Sequence, residues 1–179
     1  MKRIKLAALL ACSALLPFSA SALTVNYSFG LSAAQEVPTN GSPATATFQM
    51  SVNDTTNLVS YAFNGLNFLN GVSAAHIHFA PVGVNGGVVF NLLGMADGGL
   101  VPGALPNSFN FAGTNKPMSA GLGLAINANP LGHYVNVHSS QFPSGEIRGQ
   151  LKVPEPATYG LLALALGAVG LATRRRRPA

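Results

Sequence analysis

Cysteine is almost absent from this chain, since Cys12 is the only one in 179 residues. Residues 23–153, which we call the body, therefore contain no thiol. This absence excludes a cysteine nucleophile and a disulfide in the body, so the body depends on a hydrophobic core for its stability. The Gly-x-Ser-x-Gly motif of many serine hydrolases is also missing, which argues against that class of enzyme.

Charged residues are scarce as well, at 8% of the chain. The net charge of +5 comes from basic residues near the two termini, whereas the body has a net charge of −1. The charged residues of the body are Lys116, Arg148 and Lys152 with Glu36, Asp54, Asp97 and Glu146. Affinity for nucleic acid comes mainly from Lys and Arg clusters, so the body is not expected to bind it.

The N-terminus has the three parts of a secretory signal peptide. A basic segment is followed by a short apolar stretch, Leu6–Phe18, and then by the small residues Ala20-Ser21-Ala22. This order is typical of a cleaved signal sequence, and the apolar stretch is too short for a membrane-spanning helix. We predict that residues 1–22 are a signal peptide, that signal peptidase cuts after Ala22, and that the mature chain begins at Leu23.

The C-terminus combines a short motif, an apolar run and a basic cluster. Pro154-Glu155-Pro156 precedes the uncharged run Ala157–Thr173, and Arg174-Arg175-Arg176-Arg177 follows directly. At ~1.5 Å per residue the run can just cross a thin hydrocarbon core, and the arginines are expected to stay on the cytoplasmic side. We predict a transmembrane helix at about 157–173 and a basic stop at 174–177.

This C-terminal order, over residues 154–179, resembles the PEP-CTERM sorting signal. The resemblance implies recognition by a membrane-embedded exosortase that cuts near Pro154-Glu155-Pro156. It also implies a Gram-negative host that makes exopolysaccharide and biofilm. The expected route is export, transient anchoring in the inner membrane with the body in the periplasm, and then the cell surface or the medium.

Apolar residues alternate with polar or small residues along most of the body. The alternating sets are Val25, Tyr27, Phe29 and Leu31; Ala46, Phe48, Met50 and Val52; Val59, Tyr61 and Phe63; Val88, Phe90 and Leu92; Val135 and Val137; Ile147 and Leu151. Turn-forming pairs such as Asn40-Gly41 and Asn70-Gly71 separate them. This pattern predicts a single antiparallel all-β domain, either a sandwich or a barrel, with an irregular segment at 96–131 that contains a short helix near 118–126.

The same alternation assigns polar side chains of three segments to one face. His76 and His78 share a face because side chains alternate along a strand. The residues that face away from the core in the two later segments are Tyr134, Asn136 and His138, and Glu146, Arg148 and Gln150. We predict that neighbouring strands bring them together as one polar patch. His133 has the opposite parity and is predicted to precede its strand.

Three of these side chains form a candidate metal site. The imidazoles of His76 and His78 can converge on one ion, and His138 from a neighbouring strand can complete the set. Copper or zinc is the metal expected with such ligands. In the alternative interpretation the imidazoles hydrogen-bond to polar groups of the patch and hold adjacent strands together. A carboxylate pair for glycoside hydrolysis, Glu36 with Glu146, would require a proximity that the sequence does not indicate.

Five segments of the body resemble the CHRD domain, named for chordin. They are Leu31-Ser32-Ala33-Ala34-Gln35-Glu36-Val37-Pro38, Ala74-Ala75-His76-Ile77-His78, Gly83-Val84-Asn85-Gly86, Tyr134-Val135-Asn136-Val137-His138-Ser139 and Gly145-Glu146-Ile147-Arg148-Gly149-Gln150-Leu151. The resemblance implies an immunoglobulin-like, Greek-key β-sandwich at residues 23–153. It also implies a secreted protein whose molecular function is unknown.

Two functions stay open at this point. The first is a non-catalytic domain of the cell envelope or extracellular matrix, associated with exopolysaccharide or biofilm and without a cofactor. The second is a mononuclear copper or zinc site on a sandwich similar to that of copper-zinc superoxide dismutase. We do not expect dismutase activity, because that binuclear site uses more histidines and an aspartate, and no acidic residue lies near His76.

Overall fold

The computed structural model describes residues 23–93, 101–102 and 107–152. These residues form one antiparallel sheet of nine strands with one short α-helix. The strands are β1 (Thr24–Ser32), β2 (Thr45–Asn53), β3 (Leu58–Leu66), β4 (Val72–Phe79), β5 (Gly87–Leu93), β6 (Val101–Pro102), β7 (Phe109–Pro117), β8 (His133–Ser139) and β9 (Ile147–Gln150). The predicted signal peptide at 1–22, the predicted transmembrane helix at 157–173 and the arginines at 174–177 lie outside the described residues.

The strand order is β5-β4-β8-β9-β1-β2-β3-β7-β6, and the sheet curls until it is nearly closed around one core. A single Cα pair, Ser32 opposite Arg148, joins β9 to β1. The Tyr61 hydroxyl donates a hydrogen bond of 2.6 Å to the Leu92 carbonyl oxygen, which connects β3 to β5 across the core. The predicted antiparallel all-β class is confirmed. The structure differs from the predicted two-sheet sandwich because backbone pairing continues from β9 to β1.

The alternation in the sequence explains how β1, β2 and β3 pack. The three strands pair in register over nine residues each, so that Phe29, Phe48 and Phe63 lie on the same side of the sheet. All three are buried, and their rings pack in a chain with Tyr61 and Phe111. Burial of such large apolar side chains supplies most of the favourable free energy of folding.

Helices contribute little to the described part of the chain. The helix α1 (Leu122–Ala128) overlaps the predicted helix at 118–126 and buries Leu122 and Ile126. Single turns of 3₁₀-helix lie at Ala33–Gln35 and Pro130–Gly132. Among residues 23–93, 101–102 and 107–152, no helix has both the length and the apolar character needed to cross a membrane.

Candidate metal centre

The predicted polar face lies on three neighbouring strands, β4, β8 and β9. In the register of β4 with β8, His76 is opposite Asn136 and His78 is opposite Tyr134. In the register of β8 with β9, Asn136 is opposite Arg148 and Tyr134 is opposite Gln150. Because these positions alternate with the core positions Ile77, Val135 and Ile147, all the polar side chains point away from the core.

The polar face is itself buried, which the sequence did not indicate. Segments 33–43 and 80–87 cover it, so that Arg148 is 1% exposed and Glu146 is 0% exposed. Tyr134, Asn136 and Gln150 are also buried, whereas His138 is partly buried. The domain therefore has a second, polar interior beside its apolar core, and buried polar groups of this kind need partners.

The structure brings His76, His78 and His138 together. One ligand atom from each ring lies within 4.8 Å of the others. The Nδ1 atom of His76 is 3.1 Å from the Nε2 atom of His138. Two nitrogens bound to one tetrahedral zinc ion at about 2.0–2.1 Å would be roughly 3.3 Å apart. The spacing of this pair is therefore close to that of a metal-bound pair.

Backbone carbonyls determine which nitrogen is unprotonated on two of the rings. The Nδ1 of His78 is 2.9 Å from the Gly86 carbonyl oxygen, and the Nδ1 of His138 is 3.0 Å from that of Pro143. Since a carbonyl oxygen only accepts, each Nδ1 must carry the proton, and each Nε2 keeps its lone pair. The Nε2 of His78 is buried without a hydrogen-bond partner in the protein. Metal-bound histidines typically show this arrangement, with the second ring nitrogen donating to a carbonyl.

The protonation state of the three rings also suits a metal. The pKa of His76 is lowered to about 4, mainly by burial and in smaller part by the nearby charges of His138 and His78. Burial lowers the pKa of His78 and of His138 as well, although the carbonyls of Gly86 and Pro143 act in the opposite direction. All three imidazoles are therefore neutral at pH 7, which is the form that binds a metal ion.

His133 does not belong to this cluster, as its parity predicted. It is the first residue of β8, so the prediction that it precedes the strand is wrong. Its Nδ1 donates to the Asn129 carbonyl oxygen at 2.9 Å, and burial lowers its pKa. It is a buried histidine with a local structural contact, which makes it a useful control for the other three.

Behind the cluster, the rings of His78 and Tyr134 and the guanidinium of Arg148 form a stack. The His78 and Tyr134 rings are nearly parallel with centroids 4.7 Å apart, and the Arg148 Cζ lies 3.4 Å from the Tyr134 centroid. The Gly86 amide donates to the Tyr134 hydroxyl at 3.1 Å. Gly86 thus holds both His78 and Tyr134, one through its carbonyl and the other through its amide.

Arg148 and Gln150 donate mainly to backbone carbonyls. The Arg148 guanidinium reaches the carbonyl oxygens of Val84 at 2.9 Å and Pro81 at 3.1 Å. The side-chain Nε2 of Gln150 lies within 2.7–3.1 Å of the carbonyl oxygens of Leu131, His133 and Ala80. These bonds fix the loop from 80 to 86, which carries Gly86, against β9.

Sequence reasoning placed Glu146 in this patch but did not place Glu36 there. Glu36 is 5% exposed, and burial raises its pKa to about 7, opposed by the charge of Arg148 and by hydrogen bonds from Val37 and Asn136. Glu146 accepts a hydrogen bond of 2.7 Å from the Ser42 hydroxyl. Glu36 and Glu146 are both buried in this interior, although 110 positions separate them along the chain.

A substitution at Gly86 tests how this loop supports His78. A Cβ at Gly86 would overlap the Phe79 carbonyl oxygen, so Gly86→Ala must displace the backbone that holds His78 and Tyr134. We expect a loss of about 1–3 kcal/mol in the free energy of unfolding, which is typical of overpacking. Gly87→Ala is the matched control, because a Cβ there meets nothing within 4 Å. Equal denaturation midpoints for the two variants would contradict this role of Gly86.

Comparison with known proteins gives two family matches. The model described as CHRD domain matches residues 27–151, and the model described as PEP-CTERM protein-sorting motif matches residues 152–177. No curated protein and no solved structure gives a match. The sorting motif indicates an exported protein that an exosortase processes at the membrane. The match over residues 27–151 covers most of the chain, and the chain belongs to the CHRD domain family.

Proposed function

We propose that this protein is a non-catalytic component of the cell envelope or extracellular matrix whose CHRD domain binds one copper or zinc ion. His76, His78 and His138 are the proposed ligands. The observation that carries the proposal is the buried Nε2 of His78, which has a lone pair and no hydrogen-bond partner. It belongs to a ring that offers one ligand atom within 4.8 Å of ligand atoms from His76 and His138. An unpaired buried polar atom is costly, and a metal ion would offset that cost.

The chemistry of the ligand set supports copper or zinc rather than a hard cation. All three donors are neutral imidazole nitrogens, which suit Zn(II) and Cu(II), whereas calcium and magnesium prefer oxygen ligands. Three protein ligands leave a fourth position for water or another small ligand. The carbonyls of Gly86 and Pro143 would orient two of the rings before the metal arrives, which lowers the cost of binding.

A structural rather than enzymatic role is supported by the contacts of the polar interior. Arg148, Gln150 and Glu146 are the side chains of that interior best suited to take part in a reaction. Their hydrogen bonds instead hold loops to β9. The proposed setting follows from the sorting motif. The body would reach the periplasm while a helix at 157–173 and the arginines at 174–177 hold it in the inner membrane. Cleavage near Pro154-Glu155-Pro156 would then pass it to the cell surface or the exopolysaccharide matrix.

Metal titration of the purified full-length protein tests the metal site. We expect one Cu(II) or Zn(II) per chain, and we expect His78→Ala or His138→Ala to weaken binding about 100-fold, which is roughly 2.7 kcal/mol. His133→Ala is the matched control, since it removes a buried histidine that lies outside the cluster. Stoichiometric binding that survives in both cluster variants would contradict the ligand assignment.

The second candidate is a purely structural role for the three histidines. It is favoured by the 3.1 Å contact between His76 and His138, which joins β4 to β8 when no metal is present. This role predicts no metal binding by the wild-type protein, together with a lower melting temperature for His76→Ala and His138→Ala. The titration and the melting curves thus distinguish the two candidates in one set of variants.

A further inference from the structure

Exposed apolar side chains cluster at the end of the domain where the chain leaves β9. Phe79 is 55% exposed, Val82 is 72% exposed and Leu131 is 53% exposed. Val84, in the same loop as Val82, is also exposed. We call Phe79, Val82, Val84 and Leu131 the apolar exit patch. Large apolar side chains that are exposed together mark interaction surfaces more often than isolated ones do.

Hydrogen bonds to β9 place the members of this patch beside one another. The side-chain Nε2 of Gln150 contacts the carbonyl oxygens of both Ala80 and Leu131, so the two segments of the patch meet at one atom. Arg148 holds the carbonyls of Pro81 and Val84 from the same side. The backbone of the loop is thus tied inward at several points while its apolar side chains point outward. The patch is a fixed feature of the fold.

The C-terminal segment leaves the domain at the same place. The Leu151 amide donates to the His133 carbonyl oxygen at 3.0 Å, and the His133 ring packs against Phe79 with centroids 5.1 Å apart. Ala157, where the uncharged run begins, lies six positions after Leu151. Six residues span at most about 20 Å when fully extended. Any membrane-embedded tail therefore keeps this end of the domain within about 20 Å of the lipid.

The charge distribution around the patch also fits a lipid surface. The segments 79–93 and 117–145 contain no Asp, Glu, Lys or Arg. Because these segments carry no charged side chain of their own, their exposed apolar side chains can enter the interfacial region of a bilayer at little desolvation cost. The attachment does not require a basic patch, so salt should affect it little.

We propose that the apolar exit patch rests on the outer surface of the inner membrane while the protein still carries its C-terminal tail. The contact would orient the domain and hold Pro154-Glu155-Pro156 next to the bilayer in which the exosortase is embedded. This inference rests on the proposed membrane span at 157–173. The patch alone is small, so release of the tail would end the contact, as expected when a single weak anchor is left.

The test uses the full chain in lipid vesicles with single labelling sites. In a Cys12→Ser background, Val82→Cys, Leu131→Cys, Leu69→Cys and Ala165→Cys each give one position for a polarity-sensitive fluorophore. Leu69 is the matched control, because it is 53% exposed and lies in the loop before β4, at the opposite end of that strand from Phe79. Vesicles of phosphatidylethanolamine and phosphatidylglycerol with nitroxide-labelled lipid report contact with the bilayer by quenching.

We expect the labels at positions 82 and 131 to be quenched at least about twofold more strongly than the label at 69, since an interfacial contact places them some 5–10 Å into the headgroup region. Equal quenching at 69, 82 and 131, with the label at 165 quenched, would overturn the inference and leave the span intact. An unquenched label at 165 would refute the span and the inference together. The labels at 82 and 131 could instead report an apolar environment only at high protein density and without quenching by the lipid. That result would show a contact between copies of the chain and would also overturn the inference.

Discussion

Replacement of Arg148 by methionine is expected to lower the free energy of unfolding by about 3–5 kcal/mol, because it removes one partner from a buried, charged hydrogen-bond network. Arg148 donates to the carbonyl oxygens of Val84 and Pro81 and lies over the Tyr134 ring. Methionine fills a similar volume but donates nothing, so both carbonyls lose a partner at about 1–3 kcal/mol each. Chemical denaturation of the full-length protein would measure the loss.

Two further variants separate the effect of charge from that of hydrogen-bond geometry. Arg148→Lys keeps a positive charge near Glu36 but cannot reach two carbonyls in a fixed fork, so we expect an intermediate loss. Lys116→Met removes a cation from an exposed position and should change stability by no more than about 0.5 kcal/mol. If Arg148→Met were as stable as Lys116→Met, the loop from 80 to 86 would not depend on the guanidinium.

Alternation along the strands predicted the apolar core and the composition of the polar face. It succeeded for β1, β2 and β3 because each has one buried side and pairs in register over its whole length. The same parity brings His76, His78 and His138 onto one face of β4 and β8. Parity is a local property of an extended chain, so residues near each other in sequence are enough to define it.

What covers a face depends on contacts between distant parts of the chain, and alternation carries no information about them. Ser42 and Glu146 meet although 104 positions separate them. The polar face was predicted as a patch, whereas segments 33–43 and 80–87 bury it. The glutamate in Gln35-Glu36-Val37-Pro38 gave no signal of burial on its own. A charged residue in a turn-like segment is usually solvated, and only the fold shows that this one is not.

The pattern in β5 was misleading for a different reason. Val88, Phe90 and Leu92 alternate in sequence, but Val88 is exposed and only Leu92 is fully buried. The register between β4 and β5 shifts twice, between Ala75 and His76 and between Ile77 and His78. Each shift changes which side of the sheet the following residues face. Such irregularities at an edge strand are set by packing and leave little trace in hydrophobicity.

Glu36→Gln is expected to stabilise the protein at neutral and alkaline pH by up to about 3 kcal/mol. The pKa of Glu36 is about 7 in the folded protein, against 4.5 for an ordinary glutamate, mainly because of burial. Below pH 4.5 the carboxyl is protonated in both states and costs nothing. As pH rises from 4.5 to 7 the unfolded chain releases the proton first. The free energy of unfolding therefore falls by about 1.36 kcal/mol for each pH unit between the two pKa values. Glutamine cannot ionise, so the variant does not lose this stability.

The histidines change stability with pH in the opposite direction to Glu36. The wild-type protein and the Glu36→Gln variant must therefore be compared at several pH values. The pKa values of His76, His78, His133 and His138 are lowered by burial, so these side chains reduce stability as pH falls below 6.5. Both proteins share that effect in metal-free buffer, and the difference between their unfolding free energies isolates Glu36. Asp54→Asn removes the same charge from a partly exposed turn and controls for net charge. A difference between Glu36→Gln and wild type that is the same at pH 4.5 and pH 8 would show that Glu36 keeps an ordinary pKa. The buried Glu36 carboxylate would then be ionised at neutral pH, and a cation or a water molecule would have to stabilise its charge.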